Sequence, residues 1–234
     1  MTPDTDPNDA EPVGTDAAAR RKGGPPPRRA AVEALAAAIR RLGDVAVETA
    51  VDPTEIAAVT AELDALTARL GRRLDTSPYS GLTGPVPDFS RPESPMPLNP
   101  IIGACSPVRP DVRLEFDGSE VRGTATLSKR FTGPPGFAHG GISAMLADQL
   151  VAVSSGAIGI RCVTKALHVR FRRPLPLGEP LELVGRCIQD GDDVTAVCEI
   201  RAGGQVAVEG TAELVTYERL AGKARAAERG PEAR

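Results

Sequence analysis

Residues 140–155 read Gly-Gly-Ile-Ser-Ala-Met-Leu-Ala-Asp-Gln-Leu-Val-Ala-Val-Ser-Ser, an apolar helical stretch with Gly156 expected to stop it. The segments around it carry a different period. Val112–Phe116 alternates apolar and polar residues, Asp117-Gly118 forms a turn, and Val121–Leu127 alternates again, so this is a hairpin. After the helix, Val163, Leu167, Val169 and Phe171 alternate with Thr164, His168, Arg170 and Arg172. Strands at 180–189 and 194–201 are joined by the Asp190–Asp193 turn, and a last strand covers about 205–217 with Val206, Val208 and Leu214. The order is β-β-α-β-β-β, with a final β. One apolar helix among antiparallel strands makes the class α+β, because the sheet has a single helix to cover.

The 234 residues allow one domain with appendages or two small ones. Trp is absent and aromatics are 3%, so the core must come from Ala, Val, Leu and Ile within the 41% hydrophobic content. Lysine occurs at 22, 129, 165 and 223, and every other basic residue is Arg. The net charge is −3, and no domain-wide basic excess points to nucleic acid as a partner. The N-terminal MTPDTDPNDAEP is acidic and lacks the apolar stretch of a signal peptide. No run of 18 apolar residues predicts a membrane span. A cytoplasmic location is the expectation. Cys105, Cys162, Cys187 and Cys198 lack CxxC spacing. Cys187 and Cys198 flank a hairpin and could lie near each other, but free cysteines mostly act as small buried hydrophobes.

Composition divides the chain. Residues 1–29 have almost nothing to bury and predict a disordered tail, its 20–29 charge run a solvated one. Residues 30–74 form a helical extension. Val32, Leu35, Ile39 and Leu42 fall at helical spacing over 30–42. Asp52-Pro53-Thr54-Glu55 is a helix start, Ile56, Val59, Leu63, Leu66 and Leu70 follow at 3-4-3-4 spacing, and Gly71 is the stop. That stripe suits either the chain's own domain or a partner helix, and it is short for a coiled coil, which favours the domain. Residues 75–100 hold seven prolines and predict an extended connector. The domain of strands and central helix covers 101–218, and 219–234 predicts a second disordered tail.

The chemistry gathers at one place. Phe131-Thr-Gly-Pro-Pro-Gly-Phe-Ala-His139 leads into Gly140-Gly141 at the helix start. Bare N–H groups there carry the positive end of the helix dipole and suit a developing oxyanion. Asp148 is the one acid on the helix, and Met145, Leu146, Ala147 and Leu150 leave it little polar face. An acid buried there would be a base or a nucleophile. It lies about 12 Å along the helix from Gly140, at a rise of 1.5 Å per residue. A reacting group must sit within about 3 Å of its target. One helix cannot bring both to a single reacting group, but two antiparallel copies can.

Gly133-Pro-Pro-Gly-Phe-x-His139-Gly-Gly resembles the His-Gly-Gly branch of the PaaI-like acyl-CoA thioesterases, nearest the subgroup typified by human thioesterase superfamily member 4. The stretch Thr164–Leu177, sixteen residues beyond Asp148, is similar to the strand that follows the central helix there. The resemblance covers roughly residues 100–217. It implies the hotdog fold, a curved antiparallel sheet around one central helix, here with extra N-terminal helices. It also implies a homodimer or a dimer of dimers, with sites between protomers that take acyl-CoA and use no metal or other cofactor. Asp148 would activate water or attack directly, Thr164 would orient the water, and Gly140 and Gly141 would bind the thioester oxygen. His139, Arg170 and Arg172 would contact substrate, with Arg suited to the phosphates of coenzyme A. His139 would mainly order its loop, and His168 would have no role. Some members place Asn where this chain has Gly133, so no side-chain role is expected there. A non-catalytic acyl-CoA-binding scaffold is the alternative. A hotdog hydratase would need a catalytic His–acid motif that the sequence lacks, and no Gly-x-Ser-x-Gly elbow is present.

Overall fold

The computed structural model describes residues 26–75, 77, 79, 81–83 and 89–221. The calls of disorder at 1–25 and 222–234 lie outside these residues. Two helices come first, α1 (Pro27–Ala46) and α2 (Pro53–Gly71). The elements of the sheet domain follow as β1 (Asp111–Asp117), β2 (Glu120–Thr126), α3 (Gly140–Ala157), β3 (Cys162–Phe171), β4 (Pro180–Asp190), β5 (Asp193–Ala202) and β6 (Gln205–Thr216). The six strands form one antiparallel sheet in the order β1-β2-β4-β5-β6-β3. β3 is an edge strand, hydrogen-bonded among the described strands to β6 alone. This is the α+β hotdog arrangement that the sequence predicts, with the additional N-terminal helices.

The sheet covers α3 by alternation. Leu181, Leu183 and Cys187 of β4 are buried, as are Val194, Ala196, Cys198 and Ile200 of β5, and the residues between them face outward. From the helix come Leu146, Ala147, Leu150, Val151 and Val153. The layers approach closely at Gly185, where a Cβ would stand 3.0 Å from the Leu150 carbonyl oxygen. Any larger residue would lift the helix from the sheet. Gly156 does not stop α3. The helix continues to Ala157, and the positive φ needed to turn the chain falls at Gly159 (78°).

The N-terminal half departs from expectation in three ways. Pro27–Arg29 belong to α1 rather than to a tail. Arg29 is half-buried, paired with Glu33 at 2.8 Å and bonded to the Ser94 carbonyl at 3.2 Å. The 75–100 segment is not simply extended at its end: Pro97 is buried, and it leads into the buried Ile101, Ile102 and Cys105. Asn99 is the reason, because its Oδ1 accepts from the N–H groups of Ile101 and Ile102 while its Nδ2 donates to the buried Gln149 of α3 at 2.7 Å. Finally, α2 does not lay its stripe on its own domain. None of its residues is buried, and Ile56, Val59, Leu63, Leu66 and Leu70 are 36–54% exposed. Its start is as read, with Asp52 accepting from the Thr54 and Glu55 N–H groups. α1 is held through charge: Arg40 donates to the carbonyls of Ala104 and Ser106, and Asp44 pairs with Arg130 at 2.6 Å.

Candidate active site

The loop before α3 is fixed by main-chain bonds. Gly133 N–H donates to Phe137 O at 2.9 Å, Ala138 N–H to Leu175 O at 2.9 Å, and His139 N–H to Phe131 O at 2.8 Å. A Cβ on Gly133 would stand 2.7 Å from the His139 Cα. That explains why no side chain works there: glycine lets the loop close against the residue that starts the helix.

His139 is the N-cap of α3, and its Nδ1 accepts from the Gly141 N–H at 3.0 Å. An accepting Nδ1 is unprotonated, so a neutral ring carries its hydrogen on Nε2. The His139 carbonyl takes the N–H groups of Ile142 (2.9 Å) and Ser143 (3.3 Å). Of the first four amides of the helix, only that of Gly140 therefore remains unengaged among the described residues. The two glycines are not equivalent: Gly140 presents a free donor, while that of Gly141 is already bound to its own cap. Phe171, which sequence alternation showed only as a strand residue, flanks this donor. Its ring would lie 3.9 Å from a Cβ at Gly140, and it is 56% exposed.

Asp148 lies on the same helix, but it is exposed in the protomer. Its sequence neighbours Leu146, Ala147, Gln149 and Leu150 are buried, and the uncovered face of α3 carries Gly141, Met145 and Asp148. The expectation of a buried acid is thus corrected for the single chain: the sheet covers one side of the helix and leaves the acid's side open. No hydrogen bond or ion pair engages Asp148 among the described residues. Its charge still reaches the interior. Burial, with smaller contributions from Glu199 and Asp148, pushes the Cys198 thiol up to about 12 against an opposing Gly210 hydrogen bond. All four cysteines are free and buried, as their spacing predicts.

Thr164 stands where alternation does not put it. The β3–β6 register shifts between Thr164 and Ala166, so Lys165 is an extra residue. Thr164 pairs with the buried Leu214, and Leu167 pairs with Ala212, on the helix side of the sheet. Arg170 pairs with Glu209 and His168 with Thr211 on the outer side. A strict period of two puts Thr164, Arg170 and Arg172 on one face. The bulge separates Thr164 from Arg170 and places it with Leu167, Val169 and Phe171. Val163 moves the other way, to the outer side. Arg172 is exposed, and its guanidinium pairs with Glu209 at 2.9 Å. His168 points outward, as expected. Among the described residues, no group of His, Cys, Asp and Glu side chains could hold a metal ion, and no helix is long and apolar enough to cross a membrane.

Residues 135–209, from the site loop through β5 into β6, match the family model described as Thioesterase superfamily. No curated protein matches the chain. A crystal structure described as a thioesterase superfamily protein is 32% identical, with a TM-score of 0.67 over 79% of this chain and 90% of that one. The Escherichia coli PaaI protein of the phenylacetic acid degradation operon is 20% identical, with a TM-score of 0.42 over 45% of this chain and 78% of that one. A Streptococcus mutans UA159 protein bound to acetyl-CoA is 24% identical, with a TM-score of 0.43 over 45% and 88%. With nearly the whole of the 32% identical relative spanned, on a sheet and helix of this topology, the chain belongs to the thioesterase superfamily.

Proposed function

We propose that this protein hydrolyses acyl-coenzyme A thioesters to the free acid and coenzyme A, in sites shared by two copies of the chain. The observation that carries the reading is the pairing of an unengaged Gly140 N–H with an unpartnered Asp148 on the open face of the same helix. They are about 12 Å apart along the axis, too far to act on one thioester. An antiparallel second helix laid on that face brings the acid of one copy to the amide of the other. The free edge of β3 gives the second copy a strand to pair with.

In the proposed reaction Asp148 takes a proton from water as its oxygen attacks the thioester carbon. The carbonyl electrons move onto oxygen, and the resulting oxyanion accepts a hydrogen bond from the partner's Gly140 N–H. Gly141 joins that donor when His139 releases it. Collapse re-forms the carbonyl and expels the coenzyme A thiolate, which takes the proton held by Asp148 and returns that side chain to the carboxylate. Thr164, on the helix side of β3, orients the water. Direct attack by Asp148, giving an anhydride that water then opens, uses the same groups. Arg170 and Arg172 would take the phosphates from the outer side of the edge strand, Arg172 after leaving Glu209. The Gly-Pro-Pro-Gly-Phe variant of the loop motif supports the member 4-like subgroup.

The test is free-thiol release from a panel of acyl-CoA substrates in the presence of EDTA, with Asp148→Asn as control. The wild type should turn over and the variant should fall by at least about 100-fold, since a positioned acid or base contributes about 10²–10⁴. Acyl-CoA binding by calorimetry should survive in the variant. Saturable binding without turnover in the wild type would favour the non-catalytic scaffold instead.

A further inference from the structure

The five apolar side chains of α2 form a stripe at 3-4-3-4 spacing that nothing among the described residues buries. We propose that α2 pairs antiparallel with α2 of a second copy of this chain. The proposal is independent of the thioesterase reading, and its surface is separate from the β3 edge.

Charge selects the occupant and its direction. Glu62 and Arg69 each precede an apolar residue of the stripe, Leu63 and Leu70, so they lie on one flank of it, and Thr60 and Thr67 lie on the other. Among the described residues neither Glu62 nor Arg69 makes an ion pair. In an antiparallel pair, Val59 meets Leu70 of the second copy, Leu63 meets Leu66, and the flanks align like with like. Glu62 then faces Arg69, and the two-fold axis repeats the pair. The wider pattern agrees: Asp52, Glu55, Glu62 and Asp64 occupy the first part of the segment, and Arg69, Arg72 and Arg73 its end. Parallel pairing would set Glu62 beside Thr67 and Arg69 beside Leu74, matching neither charge. The stripe of α1 is a poorer partner. Its flanks are Ala31, Ala38 and Val45 on one side and Ala36 and Gly43 on the other, which leaves both charges of α2 facing uncharged residues.

Disulfide trapping in the full-length chain tests this. Positions 59 and 70 of one helix are about 16 Å apart at 1.5 Å per residue, so they cannot bond within a chain. Val59→Cys with Leu70→Cys, oxidised with copper phenanthroline at micromolar protein, should give mostly covalent dimer on a non-reducing gel. Each single variant should stay below about a tenth of that yield, and the four native cysteines are buried. Glu62→Arg in the double-cysteine background should cut the yield at least about fivefold, and adding Arg69→Glu should restore it. Cross-linking of Val59→Cys alone would overturn the antiparallel direction. So would a folded double variant that stays monomeric, or a charge swap that fails to restore the yield.

Discussion

Gly133 shows how narrowly the site loop is set. A methyl group there meets the His139 backbone at 2.7 Å, so Gly133→Ala must push the helix start away from the loop. Overpacking of this kind costs about 1–3 kcal/mol. A lowered urea midpoint with reduced turnover is expected, and unchanged values for both would show that the loop can give. The buried thiols set a second expectation at the residue scale. Burial pushes Cys187 up to about 11 and Cys198 up to about 12, above the usual unfolded value of about 8.5. Raised folded values mean that the unfolded chain loses these protons first. The stability they contribute is full below about pH 8.5 and is lost as pH climbs toward 11–12. Denaturation midpoints should fall over that interval, less steeply in Cys198→Ala. Iodoacetamide should leave the folded protein unmodified at pH 8, and alkylation at the rate of a free thiol would contradict the burial.

At the scale of elements, Asn99 ties the connector to α3. Asn99→Ala leaves two amides and the buried Gln149 side chain short of partners. Each such loss costs about 1–3 kcal/mol. The variant should unfold at clearly lower urea, and a change within about 0.5 kcal/mol would mean that the segment rearranges freely. This bond was not legible in the sequence, because prolines mark where chain cannot be regular but not where one Asn will dock. The hairpins were legible, since Asp117-Gly118 and Asp190–Asp193 carry turn chemistry between alternating runs. The bulge at Lys165 was not. Nothing in Thr-Lys-Ala-Leu distinguishes an inserted residue from an alternating one, and a one-residue shift exchanges the faces of everything before it. The helix start was readable from His139-Gly140-Gly141, yet the His139–Gly141 bond, which sets the two amides apart, required coordinates.

For the whole molecule, the exposure of Asp148 is a property of one chain considered alone. In the proposed dimer a second copy would cover that side of α3, and no single-chain pattern separates a face buried within the chain from one buried by a partner. Mixing two inactive chains tests the proposed sharing of the site directly. Asp148→Asn supplies an intact Gly140, and Gly140→Val supplies an intact Asp148. A valine has room at 140, since the nearest atoms to its Cβ would be the Phe171 ring at 3.9 Å. Heterodimers should regain activity at half of their sites, and verified heterodimers without activity would argue for a site within one chain.

The clasp on α1 has a consequence of a different kind. Arg29 and Arg40 donate to the carbonyls of Leu82, Ser94, Ala104 and Ser106, atoms that every amino acid carries. The receiving segment can therefore exchange those side chains over generations without loosening this grip on the helix. Arg29 is not exchanged so freely, because its Nη1 holds the Leu82 and Ser94 carbonyls while its Nε holds Glu33, and a lysine's single ammonium has no such planar fork. Attachment of the helix rests on a few positions of the helix itself, and where the gripped residues are constrained, as at the buried Leu82 and Ser106, it is by their own packing and not by this grip.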